Sequence, residues 1–395
     1  MLSAGIANNL LLRGLKLVKQ SFRTKTNEVR FCVEKKSDGE CCPKCATLCT
    51  TVYDRREANI VDEPIRGSAV LLKILKRRFY CKTCKKPFTE SVAGIKKGAR
   101  VTERFRDYVY HCCERFSNLS TVRKVARCSS GFVYNAYYER LRSRRIRLDR
   151  VWPTTLGIDE HFFKHNKDFG QREFVTILVD FNRHRLLDVV EGRQSVVLRH
   201  ALSHLDGREN VKNVVMDMSE TYRSFAQEFF PNAKLTADKF HVVRLLHPAI
   251  NKRRKEALGD NRSLPVRKLL LANGNNLDPT KRWTLHEGLK NHQALREVYI
   301  YKEALHKLYR THGLEKARTA LINLTDSMAK SRLPEILSLR KTLLKWKNEI
   351  LAYFETKITN AKTEGYNNKA KVIKRRAYGF RSFKNYRLRL LADCS

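Results

Sequence analysis

The sequence predicts a multidomain α/β fold, with a cysteine-rich amino-terminal part ahead of a mixed sheet flanked by helices. Six of the eleven cysteines fall between Cys41 and Cys84. After Pro153, short apolar runs alternate with amphipathic ones, and residues 248–357 keep the apolar spacing of helices. A chain of 395 residues has room for two or three domains, and 42% hydrophobic with 30% charged residues is typical of a folded chain.

The formal net charge of +40 indicates a polyanionic partner, above all nucleic acid. A ribosomal or histone-like role would share this charge. The chain contains no run of about 18 apolar residues, so we expect no membrane span. Residues 1–25 carry several cations and no acid, but their apolar run is too short for a secretory signal. We expect them to form the first helix of a folded domain.

Two C-x-x-C motifs, at positions 42–45 and 81–84, predict a metal site. Each motif sets two thiolates about one turn apart, and two such pairs complete a tetrahedral zinc site. The expected ligands are Cys42, Cys45, Cys81 and Cys84. Because Cys41 and Cys49 lie close to these motifs, the sequence leaves open which four thiols bind zinc. The alternative to a zinc site is a set of reduced, buried cysteines. Strand-like stretches between the motifs favour a structural zinc ribbon that serves DNA binding or scaffolding.

A pair of helices is predicted after the ribbon, at residues 119–126 and 132–145. Small residues separate the two, as in a helix-turn-helix. The second helix would face DNA with six side chains: Tyr134, Asn135, Tyr138, Arg142, Arg144 and Arg145. A plain helical hairpin is the alternative, since this motif is weak when read alone. Trp152-Pro153 indicates a domain boundary.

The segment after Pro153 predicts three strands, a helix, a strand, a helix and a strand. Their ranges are 155–158, 174–179, 185–190, 195–205, 211–216, 222–230 and 233–236. This is the order of a ribonuclease H-like core, in which the first and fourth strands lie side by side. These strands end at Asp159 and Asp217, so we expect the two carboxylates to meet. Residues 248–357 are then an all-helical insertion.

A single acid stands in the basic carboxyl-terminal region, where residues 361–391 contain ten Lys or Arg and only Glu364 as a carboxylate. Asp159, Asp217 and Glu364 are therefore candidates for holding two Mg²⁺ ions, with Mn²⁺ as a substitute, because hard cations prefer carboxylate oxygens. Two such ions activate an attacking oxygen and stabilise the leaving one. Together with the charge, this pattern predicts a metal-dependent enzyme that cuts nucleic acid.

Further residues are expected to support these acids. Three follow Glu364 at helical spacing, and we expect them on its face, orienting a phosphate: Asn367, Asn368 and Lys371. Basic residues beyond them are expected to contact DNA: Lys374, Arg375 and Arg376. Asp238 follows the fifth strand; it competes with Asp217 as a ligand, but we place it just outside the metal pair. His241 either bonds to the site or has a purely structural role.

Several motifs together resemble the ISL-three family of bacterial insertion-sequence transposases, within the DDE group. The blocks that carry the resemblance are Gly157-Ile158-Asp159-Glu160, Val215-Met216-Asp217-Met218-Ser219, Ala237-Asp238-Lys239-Phe240-His241 and Glu364-Gly365-Tyr366-Asn367-Asn368, with the cysteine motifs before them. The resemblance implies that Asp159, Asp217 and Glu364 form an acidic triad. It also implies that the amino-terminal third binds terminal inverted repeats, and that the enzyme hydrolyses the element ends and joins their 3′-hydroxyls to target DNA.

The resemblance further implies double-stranded DNA as partner, a homodimer or higher multimer that holds two ends, and action in the bacterial cytoplasm at the nucleoid. The expected domains are a zinc ribbon (1–97), a helix-turn-helix (98–150), the first part of the core (151–247), the helical insertion (248–357) and the last core helix with a basic tail (358–395). Two alternatives stay open: a non-catalytic DNA-binding regulator or inactive transposase, and a ribonuclease H-like nuclease without strand transfer.

Overall fold

The structure is a computed structural model, and it describes residues 12–116, 118–145, 151–165, 171–260 and 265–394. The chain is a mixed α/β protein that divides into two compact units, Met1–Arg144 and Arg145–Ser395. The helix expected in residues 1–25 is wrong for the part that is described, because Leu15–Arg23 is a strand. None of the described helices is long and apolar enough to cross a membrane.

The first unit contains a five-stranded sheet of order β1-β2-β6-β5, with β7 added on β6. Its strands are β1 (Leu15–Arg23), β2 (Glu28–Lys35), β5 (Val52–Ile65), β6 (Ser68–Cys81) and β7 (Lys86–Thr89), and a short hairpin is formed by β3 (Glu40–Cys41) and β4 (Leu48–Cys49). Arg66 and Gly67 join β5 to β6 with positive φ angles, as a tight hairpin requires. Alternate side chains such as Leu72 and Ile74 are buried and form the core.

Three helices follow this sheet: α1 (Glu103–Arg115), α2 (Leu119–Ala126) and α3 (Ser130–Arg145). The side chain of Asn118 caps α2 by accepting a hydrogen bond from the Thr121 backbone N–H at 2.9 Å. Arg127 ends α2 in the left-handed conformation, and Cys128 and Ser129 lead into α3. The described residues therefore form a helix, a short turn and a helix where the sequence predicted them.

The second unit contains a five-stranded sheet of order β10-β9-β8-β11-β12. The strands are β8 (Thr155–His165), β9 (Arg172–Asp180), β10 (Arg185–Glu191), β11 (Asn213–Met216) and β12 (Lys234–Ala237). The first three pair antiparallel, whereas β8, β11 and β12 pair parallel. The first and fourth strands are neighbours, as expected. β8 runs beyond its predicted end at Ile158, because its later residues continue to pair with β9.

Helices cover both faces of this sheet. They are α4 (Ser195–Leu202), α5 (Glu220–Phe229), α6 (Lys239–Arg244), α7 (His247–Leu258), α8 (Pro265–Leu271), α9 (Pro279–Leu289), α10 (Gln293–Leu308), α11 (Leu314–Ala329), α12 (Pro334–Lys345), α13 (Lys347–Thr356), α14 (Ala361–Arg376) and α15 (Phe383–Cys394). Ile158 and Met216 share one hydrophobic core with Val298 and Ile350, so the helices that carry Val298 and Ile350, α10 and α13, pack onto the sheet. The opposite face is covered by α14 and α15.

Candidate active site

Three aspartates lie side by side at one edge of the second sheet. Met216, the last residue of β11, pairs with Ile158 of β8 on one side and with Ala237 of β12 on the other. Asp159, Asp217 and Asp238 each follow one of these paired residues. Because the three strands run parallel, the register places three carboxyl groups at neighbouring positions. This register explains why Asp159 and Asp217 lie close together, as the order of strands predicted.

Asp238 is closer to Asp217 than the sequence suggested. Oxygens of both carboxylates and a ring nitrogen of His241 lie within 4.8 Å of one another. His241 Nδ1 is 3.0 Å from Asp217 Oδ1 and 3.0 Å from Asp238 Oδ2. Hydrogen bonds to Asp217 first, and then to Asp238, raise the pKa of His241 to about 10. Asp238 therefore lies beside Asp217, with the imidazole ring of His241 in contact with both carboxylates, and its place outside the metal pair stays a prediction.

Asp159 is buried, and its carboxyl group is held on both sides. Its Oδ1 accepts a hydrogen bond from the Glu160 backbone N–H at 2.7 Å, and its Oδ2 accepts one from Asn367 Nδ2. Burial, followed by the negative charge of Asp217, raises the pKa of Asp159 to about 7. Two acidic groups in contact at a buried edge repel each other when both are ionised, and a bound cation would relieve that repulsion.

Helix α14 reaches this edge because residue 157 is a glycine. A Cβ atom at Gly157 would lie 2.1 Å from Thr363 Oγ1 and 2.4 Å from Phe181 Cε1. The absent side chain therefore lets α14 lie directly against β8. Glu364 is in the first turn of the helix, and its side chain is exposed. Among the described residues, the carboxylates of Asp217 and Asp238 and the ring of His241 have ligand atoms within 4.8 Å of one another, and Glu364 is not part of this group.

The buried side of α14 carries Thr363, Asn367 and Ala370, so the expected position of Asn367 beside Glu364 is wrong. Asn368 and Lys371 are exposed, as Glu364 is. Asn367 instead contacts the interior, where its Oδ1 lies 3.0 Å from His161 Nδ1. Asn367 therefore holds Asp159 from within the protein and is shielded from a phosphate.

Two contributors to this site were missed from the sequence, His161 and Asn360. The other ring nitrogen of His161 bonds to the Tyr386 hydroxyl, and burial lowers the pKa of His161 to about 4, so its ring is neutral. His161 stands two residues after Asp159, on the same face of β8, and this spacing was the available signal. Asn360 is buried immediately ahead of α14, a position from which polar side chains often bond to backbone.

The basic residues of α14 differ in what they contact. Lys374 Nζ donates to the carbonyl oxygens of Phe162 at 2.6 Å and Phe163 at 3.0 Å, and burial lowers the pKa of Lys374. Lys374 is thus occupied by the end of β8, contrary to its expected role at DNA. Arg375 and Arg376 are exposed and are free to approach a phosphate.

Helix α3 presents part of the predicted DNA-contacting set. Tyr134, Asn135 and Arg142 are exposed. Tyr138 is buried and packs against Tyr134 and Tyr137, so its expected contact with DNA is wrong. The side chains of Arg144 and Arg145 lie outside the described residues.

The four motif cysteines converge in the first unit, with all their sulfur atoms within 4.8 Å of one another. The Sγ atoms of Cys42 and Cys84 are 3.9 Å apart, and those of Cys45 and Cys81 are 3.5 Å apart. Tetrahedral zinc with bonds of about 2.3 Å requires sulfur atoms roughly 3.8 Å apart, so the cluster fits a zinc ion. Hydrogen bonds with Thr47 lower the pKa of Cys45 to about 6, whereas contact with Cys45 and burial raise the pKa of Cys84.

Comparison with known families identifies both the α/β unit that carries the aspartates and the amino-terminal cysteine cluster. Residues 156–390 match the transposase family DDE_Tnp_ISL3, and residues 38–84 match the zinc-finger of transposase IS204/IS1001/IS1096/IS1165. The chain belongs to this ISL3 family of transposases. The resemblance drawn from the motifs is confirmed, and so is the zinc ribbon at the amino terminus.

Individual transposases are similar over much of the chain. The transposase for insertion sequence element IS1001 of Bordetella parapertussis is 28% identical over 365 residues, which cover 89% of this chain and 88% of the relative. The transposase for insertion sequence element IS1557 of Mycobacterium tuberculosis is 22% identical over 276 residues, or 59% of this chain and 61% of the relative.

Proposed function

We propose that this transposase cuts DNA at the ends of its insertion sequence and joins the freed 3′-hydroxyls to target DNA. The reaction would take place at divalent metal ions held by Asp159, Asp217 and Glu364. The observation that carries this proposal is the register of β8, β11 and β12, which aligns Asp159, Asp217 and Asp238 beneath the helix that bears Glu364.

A ribonuclease H-like core is part of the proposal. Three antiparallel strands followed by two parallel ones, with the first strand central and helices on both faces, support this assignment. The first and fourth strands then carry Asp159 and Asp217, and Glu364 comes from a late helix on β8. The domain limits expected from the sequence remain proposals as well.

The residues present fit divalent metal ions. Carboxylate oxygens are the ligands that Mg²⁺ and Mn²⁺ prefer, and burial together with the nearby charge of Asp217 raises the pKa of Asp159. Two such ions, when bound, supply Lewis-acid activation of an attacking oxygen and stabilisation of the leaving one. Asn367 Nδ2 donates a hydrogen bond to Asp159 Oδ2, and this bond fixes the orientation of the Asp159 carboxylate. His241 aligns the carboxylates of Asp217 and Asp238.

Recognition of the terminal inverted repeats is proposed for the zinc ribbon and for α2 and α3 as a helix-turn-helix. The net charge of +40 and the exposed Asn135 and Arg142 on α3 support a DNA partner. Lys371, Arg375 and Arg376 would contact phosphates near the acids. Because two element ends must react together, we propose a homodimer or higher multimer, acting on nucleoid DNA in the cytoplasm.

Cleavage of labelled double-stranded DNA that spans an end of the element tests the proposal, with Mg²⁺ added or omitted and with Asp217→Asn in parallel. We expect cuts at the element boundary that need Mg²⁺ and disappear in the variant, and joined products when target DNA is present. DNA that is bound but never cut would indicate a regulator or an inactive copy. Cuts without joined products would indicate a nuclease that lacks strand transfer.

A further inference from the structure

Asn360 contacts every element that supplies an acid to the candidate active site. Its backbone N–H donates to Asp238 Oδ1 at 3.1 Å. Its side-chain Nδ2 donates to the Ile158 carbonyl at 3.2 Å and lies 3.5 Å from Asp217 Oδ1. Its own carbonyl accepts from the backbone N–H of Glu364 at 2.9 Å, which begins helix α14. The side chain of Asn360 thus contacts β8 and Asp217, and its backbone contacts Asp238 and Glu364.

The amide oxygen of Asn360 has no partner among the described residues. Asn360 is 3% exposed, and its Oδ1 is a buried acceptor without a hydrogen bond. Buried amide oxygens are nearly always paired, and a bare one beside carboxylates is a suitable acceptor for water that hydrates a cation. Mg²⁺ keeps several water ligands when it binds to proteins, so an acceptor at this position can orient them.

We propose that Asn360 is a positioning residue, whose side-chain Nδ2 holds Asp217 against the Ile158 carbonyl of β8 and whose Oδ1 contacts the hydration shell of the metal. The inference rests on the proposed metal-dependent function. Asn360 itself need not bind the metal directly. It acts through the carboxylates, and partners of this kind typically change metal affinity or activity by about 10- to 100-fold when they are removed.

The test compares the full-length protein with Asn360→Ala and with Asn323→Ala, an exposed asparagine of helix α11. Mn²⁺ binding is measured by electron paramagnetic resonance without DNA, and DNA cleavage is measured over a range of Mg²⁺ concentrations. For Asn360→Ala we expect Mn²⁺ affinity to fall by about 10-fold or more and the Mg²⁺ midpoint of cleavage to rise by a similar factor. Binding to the element ends should stay within about twofold, and Asn323→Ala should match the unmodified protein.

Other results overturn the inference in separate ways. Unchanged Mn²⁺ affinity and an unchanged Mg²⁺ midpoint in Asn360→Ala would refute the role of Asn360 while leaving the proposed function intact. An unmodified protein that neither binds Mn²⁺ nor cuts its ends would refute the proposed function itself. If Asn360→Ala fails to fold, Asn360→Ser, which keeps a short donor, takes its place in the same comparison. Failure of both variants to fold would show that Asn360 serves the fold alone, which also overturns the inference.

Discussion

The contact of α14 with β8 predicts a large effect from one added methyl group, in Gly157→Ala. The new Cβ would lie 2.1 Å from Thr363 Oγ1 and 2.4 Å from a ring carbon of Phe181, whereas ordinary contacts begin at 3.4 Å. Both neighbours are inside the packed layer between sheet and helix, so α14 has to move by more than an ångström or its neighbours have to distort.

The expected magnitude follows from this overlap. Overpacking of a well-packed interior typically costs about 1–3 kcal/mol. For a unit of this size that corresponds to a Tm lower by roughly 2–12 °C. Displacement of catalytic groups by about 1 Å typically lowers the rate by about 100-fold. Since Asn360, Glu364 and Asn367 all belong to α14 or its start, we expect cleavage to fall at least that far in Gly157→Ala.

Thermal unfolding and end cleavage of the purified variants measure both effects. The matched control is Gly365→Ala, on the exposed side of the same helix, where an added Cβ meets no atom within 4 Å. Replacing a helical glycine by alanine at an open site stabilises the helix by about 0.5–1 kcal/mol, so its Tm should rise slightly. A Gly157→Ala variant that unfolds and cuts like the unmodified protein would refute the account of how α14 is positioned.

Three further predictions concern single side chains. Glu364→Gln should abolish cleavage and leave Tm and end binding nearly unchanged, because the carboxylate is exposed; an equal loss of binding would mean a structural role. Cys81→Ser should release the zinc, measured with a colorimetric chelator, and weaken end binding; full retention of metal would exclude Cys81 as a ligand. Arg375→Ala should lower the salt dependence of DNA binding by about one ion, whereas Lys374→Ala should lower Tm and leave that slope unchanged; the reverse pattern would contradict the assignment of Lys374 to the interior.

The sequence predicted the parts of the fold whose signals are local. The cysteine pairs, the apolar runs of the second sheet and the spacing of its helices depend on neighbours a few residues away, and the structure has these elements close to their expected positions. Leu15–Arg23 became a strand because β2 lies next to it and covers its hydrogen-bonding edge. That pairing is a tertiary effect, which residues 15–23 alone do not reveal.

The errors at the candidate site have a common physical origin in packing between distant elements. Asn367 turned inward because the face of α14 that meets β8 is set by Gly157, far away in the sequence. Tyr138 was expected at DNA with the other residues of the second helix, but its ring packs among other tyrosines. The closeness of Asp238 to Asp217 was predictable, because two parallel strands that end in register bring the residues after them together.

The residues of the candidate site lie far apart in the sequence, and this distance determines when the site can form during synthesis. Asp159 and its partner Asn367 are 208 residues apart. At typical rates of translation, Asn367 is made roughly 10–40 seconds after Asp159. For that interval the growing chain carries its aspartates while β8 lacks the helix that covers it. The cysteine cluster is made earlier, and its four ligands require no later segment of the chain. A nascent chain can therefore bind zinc well before Asn367 is available to contact Asp159.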